Sequence, residues 1–410
     1  MVRYGAIYQD RWSPAPMLEG RGDRGLIVSN GNLWQEQRRF SLHVLRNLGV
    51  SRNLMEERIM EEFNLRFEEI DRLPFGSIVD PANLFDRLVG GVINRMLFSE
   101  QPDEEDEKKF FELKKEVDKM TEKLSVIDIF AKKWMMDIPV LNIRLKNLTA
   151  PTHKVKAFIK KQIEARRRAI ADGSHVVDAE PQDYTDAFLM KMKEEAENNV
   201  TNTTFDDESL VVNILDLWIA GQETTSTTIL WALIYLLRNP QAAQKVHDEL
   251  DRVTGGSRPL SLKDKSETPY FVATIAEIQR HASILNMNIW RLTNTDTEIG
   301  DYPVPKNTVV SAELSLILSD ESLFSNPKVF DPSRFISDPS LLANVIPFGL
   351  GRRACLGEAL ARAELYLILG NLLLRYSIHS VGGPPPSGEV NKYGIMKKPQ
   401  HFKMRFTKIF

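Results

Sequence analysis

The residues with the clearest chemical potential surround Cys355, the single cysteine of the 410-residue chain. It lies in Pro347-Phe348-Gly349-Leu350-Gly351-Arg352-Arg353-Ala354-Cys355-Leu356-Gly357, just before a helical pattern over about Gly357–Tyr376. Amides at a helix start lack intrahelical partners and carry partial positive charge, which favours a thiolate. Arg352 and Arg353 add to that field, and the three glycines let the backbone turn tightly beside something flat or bulky. An anionic sulfur with donors to temper it and room beside it is what a thiolate metal ligand needs. Two other readings each fit one feature. One is an inert buried thiol; the other is a dinucleotide fingerprint, Gly349-x-Gly351-x-x-Ala354. That fingerprint should open a βαβ unit and be followed ~20 residues later by an acidic residue. Pro347 interrupts the preceding strand and 369–374 is Leu-Gly-Asn-Leu-Leu-Leu, so the match is accidental.

Three upstream groups also break local rules. Ala220-Gly221-Gln222-Glu223-Thr224-Thr225 puts a glycine, a carboxylate and hydroxyls into the middle of the most apolar stretch. Glycine costs a helix interior up to ~1 kcal/mol, and such violations mark functional sites; a Thr-capped kink with Glu223 at the surface is the plainer account. Glu277 and Arg280, at i and i+3, share a helix face, a spacing that is usually a solvent-exposed pair. Trp34 and Arg38, at i and i+4, aim an indole donor and a guanidinium the same way, a suitable clamp for a carboxylate. Trp34 as core and Arg38 as surface is the alternative.

The elements that must position these groups are mostly helices. Expected helices cover Asn30–Arg46 running on toward Asn53–Phe67, Asp103–Lys123, His153–Ala171, about 30 residues from Asp206 or Asp207, Gln241–Thr254, Pro269–Ser283 and the one after Cys355. The fourth is roughly 45 Å long and too apolar for a surface, so it crosses the centre of a large domain. Its charges Asp216 and Glu223 limit the longest uncharged run to Thr224–Leu237, too short to span a bilayer. Lys154, Lys156, Lys160, Lys161, Arg166, Arg167 and Arg168 read as a solvated face, and Asp172–Ser209 as polar and loop-rich. From Thr293 alternation and turns signal a small sheet, and after the last helix a Gly/Pro-rich hairpin follows. The expected class is mainly α with a small β part in one domain, residues 1–410. Composition agrees with a folded chain: 42% apolar, 27% charged, 53 basic against 56 acidic residues, net −3. That balance excludes a dedicated nucleic-acid binder. One cysteine excludes internal disulfides and cysteine-rich metal modules.

Phe348-x-x-Gly351-x-Arg353-x-Cys355-x-Gly357 resembles the haem-binding loop of the cytochrome P450 superfamily, and the three upstream groups match further motifs of that family in order. The resemblance implies a P450-type fold with a long central helix over haem. It makes Cys355 the iron ligand, Phe348 part of the haem loop, and Trp34, Arg38, Arg291 and Arg353 partners of the haem propionates, with Arg11 a further candidate. Glu223 and Thr224 become the acid and hydroxyl that handle protons, in a helix segment widened for dioxygen. Glu277, Arg280 and Arg334 (in Phe330-Asp-Pro-Ser-Arg334-Phe335) become a buried structural network. GLIVSNGNLWQEQRRFSLHVLRNLGVSRNLMEERI and AGQETTSTTILWALIYLLRNP look like the animal microsomal xenobiotic-metabolising branch, although Trp290 stands where the branch more often has Pro. Against the family pattern the chain lacks an N-terminal anchor, a Pro-rich hinge, the first helix and the first strands, by a start at an internal Met or as a genuine short form. The implied activity is insertion of one atom of dioxygen into a lipophilic small molecule. Electrons would come from NADPH through a membrane reductase docking near Arg352 and Arg39, with cytochrome b5 as a further donor. The implied place is the endoplasmic reticulum membrane surface on its cytosolic face. Substrate contacts would come from Tyr8–Leu26, Ile219 and Ala220, Ile284–Ile289 and the turn near Ile395. A haem-thiolate isomerase or dehydratase and an inactive truncated remnant remain as alternatives.

Overall fold

The computed structural model describes residues 5–49, 54–99, 104–123, 128, 130–177, 180–390 and 396–409. Helices dominate: α1 Ala15–Arg21, α2 Gly31–Gly49, α3 Leu54–Asp71, α4 Pro81–Phe98, α5 Glu104–Lys123, α6 Pro139–Asp172, α7 Tyr184–Glu197, α8 Asp207–Arg238, α9 Pro240–Thr254, α10 Pro269–Ala282, the short α11 Leu314–Leu318 and α12 Arg334–Ser337, and α13 Glu358–Arg375. Strands β1 Asp10–Arg11, β2 Arg291–Leu292 and β5 Val309–Val310 form one small antiparallel sheet in the order β1-β2-β5. The pairs β3 Thr297–Ile299 with β4 Tyr302–Val304, and β6 Tyr376–Ser380 with β7 Met404–Lys408, form two hairpin sheets. This is the mainly α class with a small β part expected from the sequence.

Helix α8 organises the molecule. Asp206 caps it, its side chain accepting from the Ser209 N–H at 2.7 Å. Its first half packs Leu210, Val211, Ile214, Leu215 and Trp218 into a core shared with α4, α5, α6 and α7. Its last third packs Ile229, Ala232, Leu233 and Leu236 into a second core shared with α3, α4 and α13. Each fully buried Leu or Ile contributes roughly 1.5–3 kcal/mol, so the two ends are firmly anchored. Between them Ala220 and Thr224, one helical turn apart, form a short bare stripe, with Ala220 exposed and Thr224 half-buried, while the half-buried Leu217 packs on the first core. A Cβ on Gly221 would stand 2.5 Å from Ile93 Cδ1, so this glycine lets α4 approach closely. The helix runs unbroken through 220–225, and the Thr224 hydroxyl donates to the Ala220 carbonyl at 2.7 Å.

Several sequence expectations need correcting. Helix α6 starts fourteen residues before His153, carrying Pro151 in its interior. Of its basic run Lys154, Lys160, Lys161 and Arg168 are exposed, as expected, but several also pair: Lys154 with Glu116 at 2.8 Å, Lys156 with Glu208 at 2.5 Å, Lys161 with Asp106 at 3.3 Å and Arg167 with Asp207, joining α6 to α5 and α8. Arg166 is buried against Asp183 and Asp186. The segment read as loop-rich contains α7, whose Tyr184, Ala187 and Phe188 are buried. Among the described residues no helix is long and apolar enough to cross a membrane.

Candidate functional site

Positive φ at Gly349 (68°) and Gly351 (79°) folds the Cys355 loop back on itself, and the Cys355 N–H donates to the Phe348 carbonyl at 2.9 Å. That amide is therefore not one of the free donors expected at the helix start. The N–H that reaches the sulfur is that of Gly357, the residue capping α13. The thiol is exposed on one side and walled by protein on the others. Burial pushes its pKa up; the Gly357 N–H and Arg38 pull the other way, and Glu358 adds to the rise. So the helix start tempers the sulfur without ionising it, and the nearby cation is Arg38 rather than Arg352 or Arg353. Phe348 is half-buried, with the Arg362 guanidinium 4.9 Å from its ring centre. Arg352 is exposed and donates to Gln9 Oε1 at 3.1 Å.

Beside this loop the fold concentrates positive charge. Cross-strand register sets Arg11 on β1 opposite Arg291 on β2, and like charges so placed destabilise a sheet unless an anion joins them. Arg353 lies over Trp34, its guanidinium carbon 3.6 Å from the ring centre. It donates to the Gln9 and Ser29 carbonyls at 2.6 Å each and to Asn30 Oδ1 at 3.0 Å. Arg38, one turn after Trp34 on α2, donates to the Ala354 carbonyl at 2.6 Å. Burial pulls all these guanidinium groups down, and mutual repulsion adds to it for Arg11, Arg291 and Arg353. Arg353 falls to about 9, by burial, Arg291 and Arg38. Arg291 falls to about 10, by burial and Arg38. Arg11 falls well below its usual value, by burial, Arg291, Arg353 and Arg38. With these values Arg291 and Arg353 stay charged at neutral pH.

Arg11 Nε, Trp34 Nε1, Arg291 Nε and Arg353 NH1 are buried and meet no acceptor among the described residues. Each such orphan costs ~1–3 kcal/mol. Four of them on one wall, fixed beside an accessible thiol, suit a ligand that brings several carboxylate oxygens and a metal for the sulfur. Haem, with two propionates and an iron, is such a ligand. The residues fit it.

The expected acid and hydroxyl do not point together. Successive residues on an α-helix are ~100° apart, so Thr224 lies on the bare stripe and Glu223 on the next face. Thr224 Oγ1 donates to the Ala220 carbonyl at 2.7 Å. Glu223 lines a pocket of about 100 Å³ with Ser226, Thr227 and residues of α5 and the 398–402 segment. There it pairs with Lys398 and, at 3.4 Å, with Lys114, which also holds Asp86 and Asp118. Burial would raise its pKa, but Lys114, a hydrogen bond from Asp118 and Lys398 hold it ionised, while burial and Glu223 push Asp118 up. A third carboxyl, Glu364 on α13, accepts from Thr225 Oγ1 at 3.1 Å in full burial, which raises its pKa to about 8.

Glu277, Arg280 and Arg334 form the expected buried network. Arg280 pairs with Glu277 at 2.7 and 2.8 Å, and Arg334 Nε reaches it at 3.2 Å. Asn30, Asp216, Lys398 and Glu364 carry no sequence expectation as site residues; the one available signal was a charge within an apolar helix at Asp216. Ile395 lies outside the described residues.

The chain matches the family profile described as Cytochrome P450 over residues 1–406. It is 40% identical over 403 residues to the "Probable cytochrome P450 cyp-35D1" of Caenorhabditis elegans, covering 96% of this chain and 80% of that one. It is 35% identical to cytochrome P450 2C23 of Rattus norvegicus, covering 90% and 74%, and 32% identical to cytochrome P450 2A7 of Homo sapiens, covering 98% and 83%.

Proposed function

The chain belongs to the cytochrome P450 family, and on that footing we propose that it oxidises lipophilic small molecules, with electrons delivered from NADPH by a reductase. As a member of the family it is a monooxygenase with haem as its cofactor. Bound haem supplies the iron chemistry that activates dioxygen and places one oxygen atom in the substrate. We assign Cys355 as the ligand to the metal, and Trp34, Arg38, Arg291, Arg353 and Arg11 as the partners of the propionates, with Phe348 supporting the loop. The observation that carries this assignment is the set of buried donors without acceptors beside an accessible thiol.

Thr224 Oγ1 holds a proton on the bare stripe of α8, where a substrate and dioxygen would meet. Glu223 behind it, held ionised between Lys114 and Lys398, would be an acceptor through which protons pass rather than a store of them. A hydroxyl kept on that face favours oxygen chemistry over the isomerase or dehydratase alternative, which needs no proton relay. The half-buried Leu217 and Ile219 give the wall its apolar character, consistent with a lipophilic substrate. Residues 1–410 act as one domain in this reading. The reductase, or cytochrome b5, docks at the face bearing the exposed Arg352 and Arg39, at the cytosolic surface of the endoplasmic reticulum membrane.

The deciding experiment is a reduced carbon monoxide difference spectrum of the purified chain. A Soret band at the thiolate position is expected; a histidine-type band, or none, overturns the reading. Cys355→Ser should abolish the band. Thr224→Ala should keep it while diverting at least half of the reductase-supplied electrons to hydrogen peroxide, and unchanged coupling removes Thr224 from the proton path.

A further inference from the structure

The buried line of α2 is Trp34, Gln37, Ser41, Val44 and Leu48, spaced as one face of a helix. Gln37 and Ser41 are polar where apolar residues would pack, and both are fully buried. Gln37 Oε1 accepts from Asn213 Nδ2 of α8 at 2.7 Å. Gln37 Nε2 donates to the Thr204 carbonyl at 2.8 Å and to Thr204 Oγ1 at 3.0 Å. Asn213 Nδ2 also reaches the hydroxyl of Tyr184, the first residue of α7, at 3.1 Å. That hydroxyl meets Ser41 Oγ at 2.8 Å, and Ser41 Oγ donates back to the Gln37 carbonyl at 2.8 Å. The four residues close a buried ring that joins α2 to α7 and α8.

Stability alone does not call for this ring. Asn213 Oδ1 is buried and meets no donor among the described residues, an orphan that apolar side chains would not leave. The best-attested use of a buried amide between helices is to fix one register. Apolar packing is non-directional, so it holds α2 against its neighbours without setting its rotation, whereas hydrogen bonds set it. Trp34 lies one turn before Gln37, and Arg38 one turn before Ser41. Arg38 in turn donates to the Ala354 carbonyl of the Cys355 loop at 2.6 Å. On α8, Asn213 shares a face with Ala220 and Thr224, which lie about two and three turns further on. The ring therefore refers the α2 clamp to the face of α8 that carries the bare stripe. A side-chain tip stands ~5–6 Å from its helix axis. A roll of ~20°, within the scatter of ordinary helix packing, moves it by ~2 Å, more than a hydrogen bond tolerates.

We propose that Gln37 and Asn213 are positioning residues, whose amide pair fixes the rotation of α2 and thereby aims Trp34 and Arg38 at the haem propionates. The proposal rests on the haem reading for what lies in front of the clamp. Neither residue touches the cofactor in this account; both act through the helix that carries the clamp.

The test separates aim from stability with one single and one double variant of the full chain. Asn213→Leu leaves Gln37 Oε1 buried without a donor and should lower the urea midpoint of the haem-free chain. Adding Gln37→Leu replaces both partners by apolar groups of similar size and should return the midpoint to the wild-type value or above it. The rotation is still unset in that double variant, so its haem should pass to apomyoglobin at least tenfold faster than that of wild type. Hydrogen exchange of the haem-free double variant should be at least fivefold faster over residues 349–357, where Arg38 no longer holds the Ala354 carbonyl, and unchanged elsewhere. A double variant that regains slow haem transfer along with its stability would show the pair to be merely structural and overturn the proposal. A double variant as unstable as the single one, or unaltered exchange over 349–357, would overturn it too. The exchange is read without haem, so its outcome is separable from failure of the haem assignment.

Discussion

At the scale of single residues, the arginine wall is an unfavourable arrangement that the proposed propionate contacts would relieve. Arg291 is the sharpest case: it is buried to 3% exposure, faces Arg11 across the β1–β2 ladder, and its Nε meets no acceptor among the described residues. Replacing it by methionine keeps the stem's packing and removes the charge. The haem-free chain should become more stable by about 1–3 kcal/mol, read from the urea midpoint. Haem affinity should fall at least tenfold, read from transfer to apomyoglobin. Opposite signs in the two measurements identify a cofactor contact; a loss in both would mean that Arg291 is structural. Sequence spacing alone exposed Cys355, Trp34 and Arg38, because a short loop and one helical turn fix those neighbours locally. It could not reveal that Arg11 and Arg291 face each other, since 280 positions separate them and only strand register joins them.

At the scale of elements, α8 was legible as a long central helix from its composition, and its cap at Asp206 from the residue type. Which faces it commits to which neighbours was not. Glu223 and Thr224 look like one unit in the sequence, yet helical geometry sends the first into an ion-paired pocket and the second onto the bare stripe. The contact between α8 and α13 through Thr225 and Glu364 was equally hidden. It carries a pH dependence of definite sign. Burial lifts the folded pKa of Glu364 from 4.5 to about 8, so the folded state keeps a proton that the unfolded state gives up. Stability contributed at this site is greatest at low pH, falls as pH rises from about 4.5 through about 8, and is flat above. Glu364→Gln should remove that part of the slope and raise the thermal midpoint at pH 8 relative to wild type. An unaltered slope between pH 5 and 8 would show that the carboxyl is not protonated there.

At the scale of the whole molecule, the Glu277 network joins parts of the chain that no local rule connects. Glu277 accepts from Arg280, Arg334 and the Asp331 N–H, while the two arginines reach the carbonyls of Leu318, Pro327, Ser325 and Val329. One carboxylate with no exposure thus pins α10 to the irregular stretch that leads into the Cys355 loop. Breaking one partner of a buried ionic group costs ~3–5 kcal/mol. Glu277→Gln should lower the unfolding free energy by about that much, and lose haem in proportion. Retention of both haem and urea midpoint would contradict a structural role.

The sequence by itself determined the helical class, the iron-ligating cysteine as a candidate, and the spacing of the clamp on α2, because these rest on periodicity and on contacts within one or two turns. Tertiary structure decided the rest. It brought Arg11, Arg38, Arg291 and Arg353 onto one wall and separated Glu223 from Thr224 by helix face. It also turned Asp216 from an interruption in an apolar helix into the acceptor for a distant loop. Each of these outcomes depends on which side of an element is buried against which partner, and burial is a property of the packed chain rather than of any segment within it.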